Sequence, residues 1–312
     1  MVAIREVFGR TLVELGDKNT NVVVLDADLA SSTKTTYFAE RFPDRFFQCG
    51  IAEQNMMSVA AGLASCGKIP FVTSFAAFVT KRSADQVSIS VAYPHLNVKI
   101  VGAYTGLFNG RTGATHMAVE DIAIMRAIPG IIVIDPADAF ETSQALQVIT
   151  EYYGPVYIRE TRDEWPDVFD SKYKFEIGKA AVVREGKDVT IISCGVMTSE
   201  AILAAKRLEE DGIEAKVLNI STIKPIDKDS IVCSALQTGA IVTCENHNVF
   251  GGLGSAVAEV LVEEAPVPML RIGIKDMLNG CGSNKELLEK FEMSSSYIIE
   301  AVKKVIDKQI KK

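Results

Sequence analysis

Long hydrophobic runs and an excess of positive charge are both missing from this sequence. No apolar stretch approaches the roughly 20 residues that a membrane-spanning helix needs, and the N-terminal segment has no apolar run of signal-peptide length. Lys and Arg number 33 against 40 Asp and Glu, for a net charge of -7. No overall positive field therefore attracts phosphate backbones or anionic lipid. These absences argue against nucleic-acid and membrane partners and predict a soluble, cytoplasmic protein.

Closely spaced cysteines are missing as well. The six cysteines lie far apart along the chain, and none belongs to a Cys-x-x-Cys pair. This spacing argues against a disulfide frame or a zinc site and favours reduced, mostly buried thiols. We therefore expect no metal site in this chain.

Short β-rich runs alternate with longer helical patterns, which predicts an α/β protein. The chain has 312 residues, and a typical domain has about 150. We therefore predict two α/β domains, each with a mostly parallel sheet covered by helices. Continuous Val/Ile-rich strands are typical of sheets covered on both faces. The first half contains the predicted strands Asn21–Leu25, Asn97–Ala103 and Ile131–Ile134 and the predicted helices Glu53–Ser65 and Ala139–Thr150.

A polar, aperiodic segment containing Pro166 predicts a linker over residues 164–177. The predicted domains are therefore residues 1–163 and 178–312. The second half contains the predicted strands Val189–Ser193, Ala215–Asn219 and Ala240–Cys244 and the predicted helices Thr198–Asp211 and Ser294–Ile306.

The glycine-rich segment Gly251–Gly254 follows a predicted strand and precedes a helix, a context in which backbone amides can hold an anion. It lacks the full Gly-x-Gly-x-x-Gly spacing and a following acidic residue at a second strand end. We therefore interpret it as a tight strand-to-helix turn rather than a nucleotide site.

Three further features have both a functional and a structural interpretation. Glu53 begins an otherwise apolar helix, where a carboxylate can act in chemistry or simply complement the helix dipole. Phe75 and Phe78 share a helical face, which suits either core packing or stacking on a flat heterocycle. His116, one of three histidines, ends a Gly-rich loop, a natural position for proton handling.

Four segments, in this order and spacing, resemble the transketolase family and its relative 1-deoxyxylulose-5-phosphate synthase: Ala27–Ala30, Gly50–Asn55, Ser74–Phe78 and Gly113–His116. The stretch 245–261 is similar to the C-terminal domain of that family. The resemblance implies a pyrimidine-binding domain over residues 1–163 and a transketolase C-terminal domain over residues 178–312. It also implies a thiamine diphosphate cofactor and transfer of a two-carbon ketol unit from a ketose phosphate to an aldose.

The resemblance further implies a role for individual residues. Glu53 corresponds to the glutamate that hydrogen-bonds N1′ of the cofactor's aminopyrimidine, and Phe75 and Phe78 correspond to the aromatic wall of that ring. Asp28 corresponds to an aspartate near the cofactor, and His116 to a histidine that contacts the donor sugar. Arg162 corresponds to the arginine that holds the sugar phosphate, with Ser32 beside it.

Two departures from the family pattern fall in the substrate region. Arg111 and Thr112 stand where the family has Glu-Asp, and Tyr104 stands where the family has a phosphate-contacting histidine. The lost aspartate would have contacted a donor hydroxyl. These departures predict an altered preference for the ketose donor, and Arg111 suits either an unusual anionic sugar or an exposed position in water.

The family binds the cofactor diphosphate and its divalent metal through a Gly-Asp-Gly motif, which is missing from this sequence. The resemblance therefore implies a separate diphosphate-binding chain that carries the Mg2+ or another divalent ion, in an α2β2 assembly. Two alternatives remain: the β chain of a 2-oxoacid dehydrogenase first component, and a non-catalytic scaffold subunit.

Overall fold

Two mostly parallel β-sheets organise the chain. The structure is a computed structural model that describes residues 2–109, 112–277 and 280–310. The first sheet has seven strands in the order β10-β5-β6-β4-β3-β1-β2, and the second has five in the order β12-β11-β8-β9-β7. Helices cover both sheets, so the predicted fold class is confirmed. The elements of the first half are α1 (Ile4–Lys18), β1 (Val22–Asp26), α2 (Ala30–Thr33), α3 (Thr36–Arg41), β2 (Phe46–Gln48), α4 (Glu53–Ser65), β3 (Ile69–Phe75), α5 (Ala76–Val79), α6 (Ala84–Gln86), β4 (Lys99–Ala103), α7 (Asp121–Ala127), β5 (Ile132–Ile134), α8 (Ala139–Glu151) and β6 (Val156–Glu160).

The second half follows the same alternation. Its elements are β7 (Ala181–Arg184), β8 (Val189–Ser193), α9 (Met197–Glu210), β9 (Ala215–Asn219), β10 (Thr222–Lys224), α10 (Lys228–Thr238), β11 (Ile241–Asn248), α11 (Leu253–Glu264), β12 (Met269–Ile274), α12 (Asn284–Lys290) and α13 (Ser295–Ile310). The strands β1, β4, β8 and β9 are buried along their whole length, because helices pack on both of their faces. Among the described residues, no helix is long and apolar enough to cross a membrane.

Strand β10 belongs to the second half of the chain but joins the first sheet, where it pairs antiparallel with β5. A buried ion cluster of the first half also contacts the second half. Arg159 donates to Asp121 (Nε to Oδ2, 2.8 Å), to Asp135 (Nη1 to Oδ2, 2.8 Å) and to the carbonyl oxygen of Asn246 (3.0 Å). The two halves of the chain are therefore linked by strand pairing within the first sheet and by a hydrogen bond from the buried Arg159 to β11.

The expectation of mostly buried thiols is wrong for half of the cysteines. All six are free, but Cys66, Cys233 and Cys281 are exposed. Cys66 ends α4 and Cys233 lies on the outer face of α10, and neither position is covered by a second layer. Only Cys194 and Cys244 lie in the core.

Candidate active site

Four neighbouring strands of the first sheet end at one edge and bring the predicted site residues together. β6, β4, β3 and β1 are adjacent and parallel, so the segments that follow them meet at their carboxyl ends. Ligands of open α/β sheets typically bind at this edge. The segment after β1 carries Asp28 in a loop and Ser32 in α2. Phe75 ends β3, Tyr104 follows β4, and Arg162 follows β6.

Glu53 is the first residue of α4 and is only 4% exposed. Arg82 donates from Nη1 to its Oε1 at 2.8 Å, and the Arg82 side chain is 48% exposed. The guanidinium carbon of Arg82 also lies 4.1 Å from the centre of the Phe78 ring. A buried carboxylate is therefore held beside an aromatic face by a half-exposed cation. The sequence prediction did not include Arg82, although its position four residues after Phe78 in a helical turn is a usable signal.

Phe75, Phe78, Tyr104 and His116 form one aromatic cluster. The rings of Phe75 and Phe78 are 5.8 Å apart, and Tyr104 stacks on Phe75 at 4.3 Å. His116 meets Phe75 and Phe78 edge-on at 5.8 and 5.3 Å. Its Nδ1 is 2.9 Å from the hydroxyl of Thr115. The predicted aromatic wall and the predicted histidine are thus in direct contact.

Tyr104 also connects this cluster to two arginines. Arg5 donates from Nη1 to the Tyr104 hydroxyl at 2.7 Å, and that hydroxyl lies 3.4 Å from the carbonyl oxygen of Ser32, to which it donates. The guanidinium of Arg162 lies 5.3 Å from the centre of the Tyr104 ring. Arg162 and Ser32 are therefore brought together around Tyr104. Arg5 was not predicted, because it approaches from α1, far away in sequence.

Glu160, the last residue of β6, is a buried acid in the same region. It is 1% exposed, and neither of its carboxyl oxygens has a hydrogen-bond partner among the described residues. Burial raises the pKa of Glu160 well above its ordinary value, and the positive charge of Arg5 opposes that rise only in part. A buried carboxyl group with a raised pKa therefore lies near Arg5.

Asp28 stands apart from the cluster. Its side chain is exposed, its backbone has φ 64°, and its N–H donates to Oε1 of Gln48 at 2.7 Å. The loop that carries it is shaped by buried Asp26, which accepts from the Leu29 N–H (2.6 Å) and from the hydroxyl of Thr33 (3.0 Å). Asp28 is therefore open to contact by another molecule.

The two residues of the first departure, Arg111 and Thr112, have different outcomes. Arg111 lies outside the described residues. Thr112 is exposed, and its hydroxyl donates to Oδ1 of Asn109 at 2.7 Å, within its own loop. The structure thus gives Thr112 a local partner.

The glycine-rich turn Gly251–Gly254 already holds a carboxyl group of the chain itself. Glu245 accepts hydrogen bonds from the N–H groups of Leu253 (2.7 Å) and Gly254 (2.9 Å) at the start of α11. Burial raises the pKa of Glu245 to about 7. A Cβ on Gly252 would overlap the Glu245 carboxylate. This turn is therefore occupied by a side chain and leaves no room for a nucleotide phosphate.

The residues present suit one half of a thiamine diphosphate site. A flat aminopyrimidine fits a site with an aromatic face at Phe78 and a buried carboxylate at Glu53 beside it. Within ranges 2–109, 112–277 and 280–310, no group of three or more His, Cys, Asp or Glu side chains is arranged to hold a metal ion. The described part of the chain thus offers a stacking face and a carboxyl group for the ring, but no acidic cluster for a metal-bound diphosphate.

The geometry defines a half-site for an aromatic cofactor on an α/β scaffold, and comparison with known proteins identifies its family. Residues 1–167 match the transketolase pyrimidine-binding domain, and residues 178–298 match the transketolase C-terminal domain. The chain belongs to the transketolase family, as the C-terminal subunit of a split transketolase.

Three relatives illustrate this. The 6-deoxy-6-sulfo-D-fructose transketolase subunit SqwH of Clostridium sp. (strain MSTE9) is 44% identical over 98% of this chain and 95% of its own length. One of the subunits of the apulose-4-phosphate transketolase of Phocaeicola vulgatus is 38% identical over 99% of both chains. A solved structure described as a split gene transketolase, inactive beta4 tetramer, superposes with a TM-score of 0.92 at 48% identity and covers 98% of this chain and 99% of its own.

Proposed function

We propose that this chain, together with a separate diphosphate-binding chain, transfers a two-carbon ketol unit from a ketose phosphate to an aldose with thiamine diphosphate. The observation that carries the proposal is the buried Glu53 carboxylate beside the Phe78 ring, at the carboxyl edge of the sheet. In such enzymes the cofactor supplies the electron sink, and the protein supplies orientation and proton traffic.

Glu53 holds a proton at N1′ of the aminopyrimidine in this proposal. A carboxyl group that is only 4% exposed and that met a bound ring would be placed for general acid–base chemistry there. Phe75 and Phe78 orient the ring by stacking. Asp28, exposed in the loop after β1, lies near the bound cofactor in this proposal.

In this proposal, the donor sugar lies between His116 and the two arginines at Tyr104, Arg5 and Arg162. His116 contacts Phe75 and Phe78 and so lies next to the ring, where it binds the sugar hydroxyls. Arg162 holds the anionic end of the sugar in a fork geometry, with Ser32 and the Tyr104 hydroxyl beside it. The relatives' names include a sulfonated sugar and a sugar phosphate, both of which present an anionic group to such a site.

The partner chain completes the cofactor site. This chain contains no Gly-Asp-Gly sequence, so in this proposal the diphosphate and its Mg2+ or other divalent ion are bound by the partner, in an α2β2 assembly. The solved relative that is described as an inactive beta4 tetramer supports the idea that this type of chain is inactive by itself.

Reconstitution tests the proposal. We expect the isolated chain to fold and associate with itself but to show no ketol transfer with thiamine diphosphate and magnesium. Adding the diphosphate-binding chain with which it co-purifies should produce two-carbon transfer from at least one member of a panel of ketose phosphates and sulfonates. Turnover by the pure single chain would contradict the proposal, as would a reconstituted complex that consumes 2-oxoacids instead of ketoses.

A further inference from the structure

The guanidinium of Arg82 makes two contacts at once at the cofactor half-site. Its Nη1 donates to Oε1 of Glu53 at 2.8 Å, and its carbon lies 4.1 Å from the centre of the Phe78 ring. A guanidinium is flat, donates hydrogen bonds in its plane and stacks on aromatic faces. Arg82 therefore contacts Phe78 as a stacked ring would and Glu53 as a ring N–H would.

The aminopyrimidine of the proposed cofactor requires the same two contacts, a stack on Phe78 and a hydrogen bond with Glu53. The Glu53 oxygen lies within hydrogen-bond reach of the group that covers the Phe78 face, so the carboxylate is on that side of the ring. A ring that stacks on Phe78 and reaches Glu53 would need the volume that the guanidinium fills. The two groups cannot occupy the site together.

We propose that Arg82 is a placeholder that fills the pyrimidine position of the cofactor-free chain and must move away when the cofactor ring binds. The inference rests on the proposed function. In the cofactor-free state the contact gives the buried Glu53 carboxylate a cationic partner, which reduces the cost of keeping its charge away from water. Arg82 can leave easily because its side chain is 48% exposed.

If Arg82 is a placeholder, its removal should increase the affinity of the chain for the ring. Replacing a side chain that contacts a binding site ordinarily weakens binding, whereas removing a competitor strengthens it. The competing contacts are a half-exposed ion pair and a cation–π contact, and contacts of these two kinds are individually weak. We therefore expect Arg82→Met to bind the ring about tenfold more tightly, which corresponds to about 1.4 kcal/mol.

The test measures binding of the hydroxymethyl form of the cofactor's aminopyrimidine, which is uncharged near neutral pH, to the full isolated chain by titration NMR. Arg82→Met keeps the unbranched stem and removes the flat donor. Lys81→Met is the matched control, because it removes the same charge from the adjacent residue, whose ammonium pairs with Glu120 at 2.7 Å. Arg82→Lys keeps a charge but loses the flat stacking group, so its affinity should fall between those of the wild type and Arg82→Met.

Tighter binding by Arg82→Met, with Lys81→Met equal to the wild type, supports the placeholder. Equal or weaker binding by Arg82→Met overturns it, and so does the absence of measurable binding by that variant. Ketol transfer by the reconstituted complex judges the proposed function separately. A complex that transfers ketol units while Arg82→Met binds the ring no better would refute the placeholder alone, and a tighter-binding Arg82→Met in a complex without ketol transfer would refute the function alone.

Discussion

Glu141 lies at the junction of the two halves of the chain, where burial raises its pKa to about 7. Its carboxyl accepts from the N–H of Ala137 (2.7 Å) and the hydroxyl of Tyr173 (2.6 Å), and it also contacts Ser221 and Asn219 from the second half. The desolvated site penalises the charged form more than these hydrogen bonds favour it. We predict that Glu141→Gln removes a pH-dependent loss of stability.

The sign follows from comparing the folded and unfolded states. The pKa of Glu141 is 4.5 in the reference state and about 7 in the fold, so the folded chain binds this proton more tightly. The stability that the proton contributes is fully present below pH 4.5 and is lost as the pH rises through about 7. A pKa difference of this size corresponds to about 3 kcal/mol.

Glutamine keeps the shape of the side chain and an acceptor oxygen but never ionises. The Tm of Glu141→Gln relative to the wild type should therefore rise between pH 4.5 and pH 8, by about 5 °C for a 312-residue chain. Differential scanning calorimetry across this range measures the change. Glu151→Gln, at the exposed end of α8, is the control and should follow the wild type. Parallel pH curves for Glu141→Gln and the wild type would refute the reasoning.

Two further substitutions, each with a control variant, test the packing that joins the two halves and the packing within the second half. Arg159→Met leaves two buried carboxylates without a cation and should destabilise the chain by about 3–5 kcal/mol in urea unfolding. Its control, Lys303→Met, removes an exposed ion pair and should cost about 1 kcal/mol or less. Equal unfolding midpoints for the two variants would contradict this prediction. Gly252→Ala should lower the Tm because its Cβ would overlap the carboxylate of Glu245. Gly62→Ala has open space around it, so it should leave the Tm unchanged or raise it, and a similar loss in both variants would contradict the account.

Local patterns predicted much of the secondary structure. The bounds of the strands Val189–Ser193 and Ala215–Asn219 and of the helix Glu53–Ser65 agree with the structure, because continuous apolar runs and an apolar helical pattern are local signals. Strand β10 was not predicted. It has three residues and pairs with β5, far away in sequence, so nothing in its own composition indicates which sheet it joins.

The residues of the candidate site also fall into two groups, those that a local motif predicts and those that only the fold brings in. Glu53, Phe75, Phe78 and His116 stand in short motifs, and the structure brings the three rings together with the carboxylate nearby. Their assigned roles stay predictions. Arg5 and Glu160 carry no local signal, since their importance comes from the fold: Arg5 approaches from α1, and Glu160 ends β6, where burial raises its pKa.

Proton exchange at C2 of bound thiamine diphosphate tests the central claim most directly. In the reconstituted complex, the wild-type chain should accelerate this exchange, and Glu53→Gln should slow it by at least about 100-fold, the lower end of a typical general acid–base contribution. Glutamine preserves the packing of this 4% exposed residue but cannot pass a proton to N1′, so the fold and the assembly should survive. Equal exchange rates in the two complexes would remove Glu53 from the mechanism and contradict the assignment of this chain as the pyrimidine-binding half of a transketolase.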